Sequence, residues 1–419
     1  MAWGYVPAPQ PITASVPSTA RSESCVVPAE MNPLKVAVVH NAYQQRGGED
    51  AVVEAEVDLL RGRGHEVLVY RRHNDELKTT GRLRAAANTL WSRDSTQEFG
   101  KLLQATKPDV VHVHNTFPLI SPSLYWATAM AGIAVTQTLH NFRLLCPQGT
   151  LLRDGRVCER CIGHMPLPAV VHSCYQGRRP QSAVAVAMLM LHRSLGTWDR
   201  KVHRYIALNE FSRVKFIAGG LAGERIVVKP NFVDLKPAPQ RLRSGLLFVG
   251  RLSQEKGIAT LARAAAVLSA PHVLRVAGAG PEAHALNGLT TTVVLGPLET
   301  AQVYSEMARA TALLIPSICY ENFPRTLVEA MANGLPVIAS RLGGLPELVE
   351  DGVTGLLAEP GNPADWAAKM QWALDHPEHM ARMGRAARAV YERKYTADVN
   401  YGQLMAIYRD AIGAVRATP

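Results

Sequence analysis

The sequence predicts an α/β protein of two doubly wound, Rossmann-like domains facing each other across a cleft. Three observations carry this. Short apolar runs recur in both halves: Lys35–His40, Asp109–His114 and Val135–His140 in the first, and Gly245–Gly250, Val273–Ala277, Ala312–Ile315 and Pro336–Ser340 in the second. Runs without polar alternation are what strands buried on both faces of a parallel sheet require. Each run leads through a loop into a helical segment, the βαβ pattern. Between the halves lies a polar stretch, 235–244, with Pro237 and Pro239, which reads as a linker.

Composition sets the outer bounds. The chain has 419 residues, enough for two sizeable cores, and 47% apolar against 19% charged residues fits a globular protein. No apolar run approaches the ~18 residues that span a bilayer. Residues 1–33 are rich in Pro, Ala, Ser and Thr and lack the compact apolar segment of an export signal. They read as a disordered extension, with Met31 as a candidate native start and a cytoplasmic protein as the expectation. The net charge of +10 is uneven: residues 1–240 hold 28 Lys and Arg against 19 Asp and Glu, the remainder 17 against 16. A basic first half suits an anionic partner, such as the inner face of a membrane or a phosphorylated substrate. No nucleic-acid motif accompanies it, so nucleic acid is not expected as a partner.

In the first half, the strand ending at His40 runs into Gly47-Gly48 and a helix expected from Ala51 to Arg63. The glycine pair either lets the backbone approach a ligand or forms an ordinary βα turn. Glu66–Tyr70 is a second strand. Residues 82–93 form a basic amphipathic helix with Leu83, Ala86, Ala87, Leu90 and Trp91 on one face, able to pack on the sheet or lie on an anionic membrane. The strands ending at His114 and His140 place two histidines at carboxyl edges, where ligands of open α/β sheets sit. Residues 181–195 read as a core helix, Tyr205–Leu208 and Arg225–Lys229 as strands, and Asn231 lies in the turn that closes the domain.

Four of the six cysteines, Cys146, Cys158, Cys161 and Cys174, fall close together after His140. A disulfide set is not expected without export. A Cys-x-x-Cys turn with two flanking cysteines can hold a structural zinc ion, or the four can be reduced thiols. His164 and His172 are possible substitute ligands.

The second half carries the denser chemistry. Arg251 and Lys256 follow its first strand, beside Gly250 and Gly257. Two cations there suit a diphosphate, or they belong to a solvated loop. Ala312–Ile315 leads through Pro316 and Ser317 to a helix expected to begin at Pro324 and end near Asn333-Gly334. A helix start offers free N–H groups to a phosphate. Glu321 precedes that helix and Glu329 lies within it, seven residues between them. Carboxylates beside a phosphate suit sugar and ribose hydroxyls, although two glutamates on a surface helix are common. Further helices are expected over 363–394 and 401–415.

Taken in order, Gly47-Gly48-Glu49, Thr138–Asn141, Val249–Gly257, the Glu321-x7-Glu329 pair and Gly343–Glu347 make the chain resemble the retaining nucleotide-sugar glycosyltransferases of family 4 over about residues 34–410. The resemblance implies the GT-B fold. It implies that Arg251 and Lys256 hold the donor diphosphate, that Glu321 orients the transferred sugar beside the N–H groups of Asn322 and Phe323, and that His140 faces the anomeric centre. It also implies that Glu329 binds the ribose, that Thr326 and the Leu327 N–H touch the distal phosphate, and that Gly47, Gly48, Asn231 and Leu298 complete the donor site.

No catalytic metal is expected. The donor would be of the UDP or GDP type and the acceptor lipid-linked or a saccharide. The organisation expected is an extension 1–33, an acceptor domain 34–234 with a Cys-rich insert 146–174, a linker 235–244, a donor domain 245–395 and a terminal helix 396–419 crossing back. The alternatives are an epimerase or phosphorylase on the same fold, and a non-catalytic nucleotide-binding scaffold.

Overall fold

The computed structural model describes residues 32–235, 242–268 and 274–417. The extension up to Met31, linker residues 236–241 and Val273 lie outside the described residues. Fourteen strands occur among those described: β1 Lys35–Ala42, β2 Glu66–His73, β3 Val110–Asn115, β4 Ala134–Thr138, β5 Leu152–Arg153, β6 Arg156–Val157, β7 Arg204–Ala207, β8 Ile226–Val228, β9 Leu246–Val249, β10 Leu274–Ala277, β11 Thr292–Gly296, β12 Ala312–Ile315, β13 Val337–Ser340 and β14 Gly355–Ala358. Two six-stranded sheets result, ordered β2-β1-β3-β4-β7-β8 and β11-β10-β9-β12-β13-β14, with β5 and β6 forming a separate hairpin. The pairings within both large sheets are parallel.

Strand alternation explains how the second sheet is buried on both faces. Leu246 and Phe248 of β9 join one apolar cluster with Leu274, Val276, Leu314 and Ile338, while Leu247 joins another with Leu313, Ile315, Val337 and Ala339. Successive side chains point to opposite faces, so an unbroken apolar run needs helices on both sides. The first sheet has its own core, built on Val39, Val111, Val113, Val135, Tyr205 and Phe216.

In both sheets the strand order reverses once: between β1 and β3 in the first, and between β9 and β12 in the second. Neighbouring connections diverge at such points and open a crevice at the carboxyl edge. The ends of β1 and β3 carry His40, Asn41, His114 and Asn115; the ends of β9 and β12 lead to Arg251 and Ser317.

Several element boundaries differ from expectation. The first helix is Gly48–Gly62, so Gly47 is its cap and the Gly47 N–H donates to Asp50 Oδ2 at 2.8 Å. The amphipathic segment is a helix only over Arg82–Leu90, because Ser92 caps a separate helix, Arg93–Thr106, accepting from Ser95 N. Leu83 is 89% exposed, whereas Leu90 packs on the first core. The helix after Gly257 stops at Ala265, and the segment 363–394 is broken at His376 before Pro377. Helix Arg179–Ser194 buries Ala185, Val186, Met188 and Leu189 as a core helix.

The last helix, Ala397–Arg416, packs on the first domain: Tyr401 Oη lies 2.8 Å from His65 Nε2, Tyr408 Oη 2.7 Å from His112 Nδ1, and Asn400 Nδ2 donates to Pro230 O at 2.7 Å.

Candidate active site

The second domain brings its loops together through a glycine. Gly257 has φ +73°, and a Cβ there would lie 1.9 Å from Pro316 O, so only glycine lets the loop after β9 lie on the loop after β12. This contact sets Lys256 against Glu321, Nζ to Oε1 2.6 Å. Ser317 Oγ donates to the same oxygen at 2.6 Å. Burial works against the Lys256 charge, but the Glu321 carboxylate holds its ammonium above the ordinary value. Arg251 is more exposed and pairs with Glu255, which also accepts from Ser253 Oγ at 2.7 Å.

The following helix, Arg325–Ala332, begins one residue later than expected, with Pro324 as its N-cap. Its Leu327 N–H donates to Pro324 O at 3.0 Å, so the earlier N–H groups of Arg325 and Thr326 are those a phosphate would meet in this conformation. Glu329 is buried, with Arg325 Nε at 2.9 Å and Tyr304 Oη at 3.2 Å. Burial and Glu329 push the Tyr304 hydroxyl up to about 12.

In the first domain, histidines stand at the carboxyl ends of β1, β3 and β4. His140 Nε2 lies 2.9 Å from His114 Nδ1, and the two rings stack. Burial, then His114 and His40, hold His140 well below its ordinary pKa, so it is neutral near pH 7. A cavity of about 40 Å³ beside it is lined by His114, Thr116, Asn141 and Arg143, among others. That volume suits ordered water, not a sugar.

Behind His114 lies Glu56, with His112 Nδ1 at 2.8 Å, His114 Nε2 at 3.4 Å and Lys229 Nζ at 3.4 Å. Although burial opposes it, His112 and Lys229 hold the Glu56 carboxyl well below its ordinary value. Glu56, His112 and His114 place their ligand atoms within 4.8 Å of one another. Lys229 already supplies the countercharge, and His112 spends its other nitrogen on Thr138 Oγ1 at 2.8 Å. The cluster is therefore a buried, charge-balanced polar group at the strand ends, in which Glu56 Oε1 and His114 Nε2 lack a well-aligned hydrogen-bond partner.

Gly47 and Gly48 sit exposed at the start of the first helix, and Glu49 beside them accepts from Tyr43 Oη at 3.0 Å and Asn141 Nδ2 at 3.5 Å. The Gly47–Glu49 turn thus reaches the residue after His140. Asn231 is buried in the turn after β8, Leu298 is half-buried after β11, and Phe323 packs on Tyr395 with ring centroids 5.7 Å apart.

Two loops of the second domain touch the first. Asn322 Nδ2 donates to Leu139 O at 2.8 Å, joining the residues next to Glu321 and His140. Asn209 caps helix Glu210–Ala218 through its oxygen, 2.7 Å from Ser212 N, while its nitrogen donates to Asn322 O. Glu347 accepts from the N–H groups of Glu210 at 2.8 Å and Phe211 at 2.6 Å, a carboxylate on a helix N-terminus. A Cβ at Gly344 would lie 2.3 Å from Asn209 Nδ2, so the seam needs glycine there.

Cys146, Cys158, Cys161 and Cys174 line a small cavity of about 20 Å³ with His172. Burial, then the three neighbouring cysteines, push the Cys161 thiol up to about 11. Among the described residues no three of these sulfurs lie within 4.8 Å of one another, so a metal there would draw them together.

With this geometry in place, comparison with known proteins is decisive. The family models "Glycosyltransferase Family 4" and "Glycosyl transferases group 1" match residues 46–237 and 242–390. The chain belongs to the GT4-type glycosyltransferases. Glycogen synthase of Mycobacterium tuberculosis H37Rv is 28% identical over 316 residues, which is 70% of this chain and 66% of that protein. D-inositol 3-phosphate glycosyltransferase of Corynebacterium kroppenstedtii is 33% identical over 184 residues, 40% of each chain. The chain thus spans under two thirds of the length of these curated relatives. Sucrose-phosphate synthase from Thermosynechococcus elongatus superposes with TM-score 0.65 at 18% identity, covering 91% of this chain and 100% of that one. Anabaena HepE in complex with UDP superposes with TM-score 0.63 at 18% identity, covering 89% and 99%. These structures share the GT-B fold.

Sequence reasoning missed Ser317 and Asn209 beside the candidate site of this GT4-type chain, and the buried Glu56, Lys229 and Tyr408 behind His114. Glu56 had a signal: it falls on the helical stripe of Val53, Val57 and Leu60, where a carboxylate must find a buried partner. The others are long-range partners that no local pattern marks.

Glu49 yields a test. Burial pushes its carboxyl up to about 7 from 4.5, against the pull of His40 and Tyr43. An acid raised on folding keeps its proton longer in the folded state, so its contribution is full below the lower value and lost as pH rises through the higher one. Glu49→Gln should therefore raise the thermal midpoint, relative to wild type, more at about pH 8 than at about pH 5. Equal shifts at both pH values would contradict this.

Proposed function

We propose that the chain is a retaining glycosyltransferase that moves a hexose from a nucleoside diphosphate donor to an acceptor hydroxyl. The observation that carries this is the Lys256–Glu321 pair, set where the loops after β9 and β12 meet at the start of helix Arg325–Ala332. Lys256 has three donors, so one ammonium serves both Glu321 and a diphosphate oxygen. Arg251 and the first N–H groups of the helix add charge where the leaving group develops it. Glu321 then orients the sugar, Glu329 turns from Arg325 and Tyr304 to the ribose, and His140 faces the anomeric centre from the other wall.

Glu321 is ion-paired with Lys256 and accepts from Ser317, and His140 Nε2 is engaged by His114 Nδ1, so neither offers an unoccupied nucleophile. This favours a front-face course in which the departing phosphate oxygen takes the acceptor proton. The donor is of the UDP or GDP type; the structural neighbour HepE was crystallised with UDP, with UDP and glucose, and with UDP-glucose. The acceptor is a lipid-linked or saccharide hydroxyl of cell-envelope, exopolysaccharide or glycolipid synthesis. Among the described residues no helix is long and apolar enough to cross a membrane. Exposed Leu83 between Arg82 and Arg84 supports peripheral contact with an anionic membrane on its cytoplasmic face.

The test is transfer or slow hydrolysis of nucleotide sugars by the purified chain. Glu321→Gln should lower kcat about 100-fold with donor KM little changed, the size expected for one lost transition-state contact. Glu329→Ala should raise donor KM about tenfold, the size of one or two hydrogen bonds. Wild-type protein that neither transfers nor hydrolyses any donor would overturn the reading.

We also propose that Cys146, Cys158, Cys161 and Cys174 hold one structural zinc ion and that no metal takes part in transfer. The shared cavity and the Cys-x-x-Cys turn support this. Elemental analysis should give one zinc per chain, lost on Cys158→Ser, and activity should survive magnesium chelation. Metal-free, folded protein would contradict the zinc.

A further inference from the structure

Tyr320 and Glu321 are adjacent, yet their side chains belong to different domains. Glu321 stays in its own domain with Lys256 and Ser317. The Tyr320 ring leaves that domain and packs on the core of the other, edge-on to Phe211 at 4.6 Å and to Phe142 at 6.3 Å between centroids. Lys215 lies over both the Phe211 and Tyr320 rings, 5.3 and 5.6 Å from their centroids. The Tyr320 hydroxyl donates to Glu159 Oε1 at 2.7 Å, and Lys215 Nζ reaches the same oxygen at 2.6 Å. On its own side of the seam Tyr320 leaves no slack: a Cβ at Gly343 would come within 3.0 Å of Tyr320 Cδ1.

Glu159 is placed by the cysteine-rich insert, to which the transfer reaction proposed above gives no role. It sits between Cys158 and Cys161, inside the Cys-x-x-Cys turn of the insert. The β5–β6 hairpin of the same insert also approaches the loop after β9, since a Cβ at Gly155 would lie 3.4 Å from Gln254 Nε2. The insert therefore reaches across the cleft to the residue next to the one that holds the sugar.

We propose that Tyr320 and Glu159 are positioning residues for transfer: the Tyr320 hydroxyl, held by Glu159 and caged by Phe211, Phe142 and Lys215, fixes the backbone from which Glu321 meets the sugar. This rests on the assignment of Glu321 to the transferred sugar. The hydrogen bond has a charged acceptor and a half-buried setting, so it is among the stronger ones a neutral donor makes. It restrains one peptide unit from one side while Lys256 and Ser317 restrain it from the other. A reacting group loses rate steeply when its support loosens. On this reading the cysteine-rich insert serves transfer by holding one carboxylate at a set place on the far wall.

The test uses Tyr320→Phe, Glu159→Ala and the double variant in the full chain. Tyr320→Phe keeps the ring and its packing and removes only the hydroxyl. Each single variant should lower kcat and kcat/KM together by about tenfold with donor KM within about twofold, the pattern of a contact realised in the transition state. The double variant should be no worse than either single one, because both remove the same interaction. Hydrogen exchange without substrate should quicken over residues 317–323 in all three, while the rest of the second domain is unchanged. Additive losses, or turnover and exchange both at wild-type level, would overturn the proposal. If wild type turns over no nucleotide sugar, the functional reading falls, and exchange alone then decides whether Tyr320 and Glu159 fix this segment.

Discussion

One hydrogen bond across the cleft ties the two halves of the site together, from the Asn322 side-chain amide to the Leu139 carbonyl. Both residues are buried, so a carbonyl at the end of β4 that the sheet leaves open must find a donor, and the other domain provides it. Such a bond contributes about 1 kcal/mol net, and leaving its carbonyl unpaired would cost about 1–3 kcal/mol. The contacts around it are also polar: Asn209 on the Asn322 carbonyl, Glu347 on the helix at Glu210, Tyr320 on Glu159. Water can replace each of them wherever the seam is opened. A polar seam of this size closes a cleft without locking it, which suits an enzyme that admits a donor and releases a nucleotide.

What closure assembles follows from topology. Each sheet reverses its strand order once, and each reversal opens a crevice at the carboxyl edge. In the first domain the crevice is filled by His114, His140 and the network that runs through Glu56 to Lys229 and His112. In the second it is lined by Arg251, Lys256 and Glu321. The terminal helix serves the first of these directly, since Tyr408 and Asn400 satisfy His112 and Lys229. A buried Lys229–Glu56 pair is costly unless its remaining lone pairs and protons are met, so the helix that crosses back supplies part of the polar interior of the first domain.

The fold was legible because parallel sheets buried on both faces need continuous apolar strands, and those strands are short, regular and separated by loops. The alternation of Leu246, Leu247 and Phe248 between two cores is a direct consequence. The placement of the second-domain polar residues, though not their roles, was legible for a similar reason. Arg251, Lys256 and Glu321 follow strand ends and Glu329 lies in the helix after them, positions that local pattern marks. Helix boundaries were less legible, as the break at Ser92 shows: its side-chain cap outweighs the amphipathic periodicity that runs through it. The partners that connect the halves were not legible at all. Asn322 with Leu139, Tyr320 with Glu159, and Tyr408 with His112 join residues more than 150 positions apart, and only the packed chain brings them together.

If these loops form a single nucleotide-sugar site closed by both domains, a crystal structure of the complex with UDP will show it. The diphosphate should lie between Arg251, Lys256 and the start of helix Arg325–Ala332, with the ribose on Glu329. The Asn322–Leu139 bond should be intact and His140 should face the open end of the diphosphate. A nucleotide held elsewhere, with Lys256 still bound only to Glu321, would contradict a shared site.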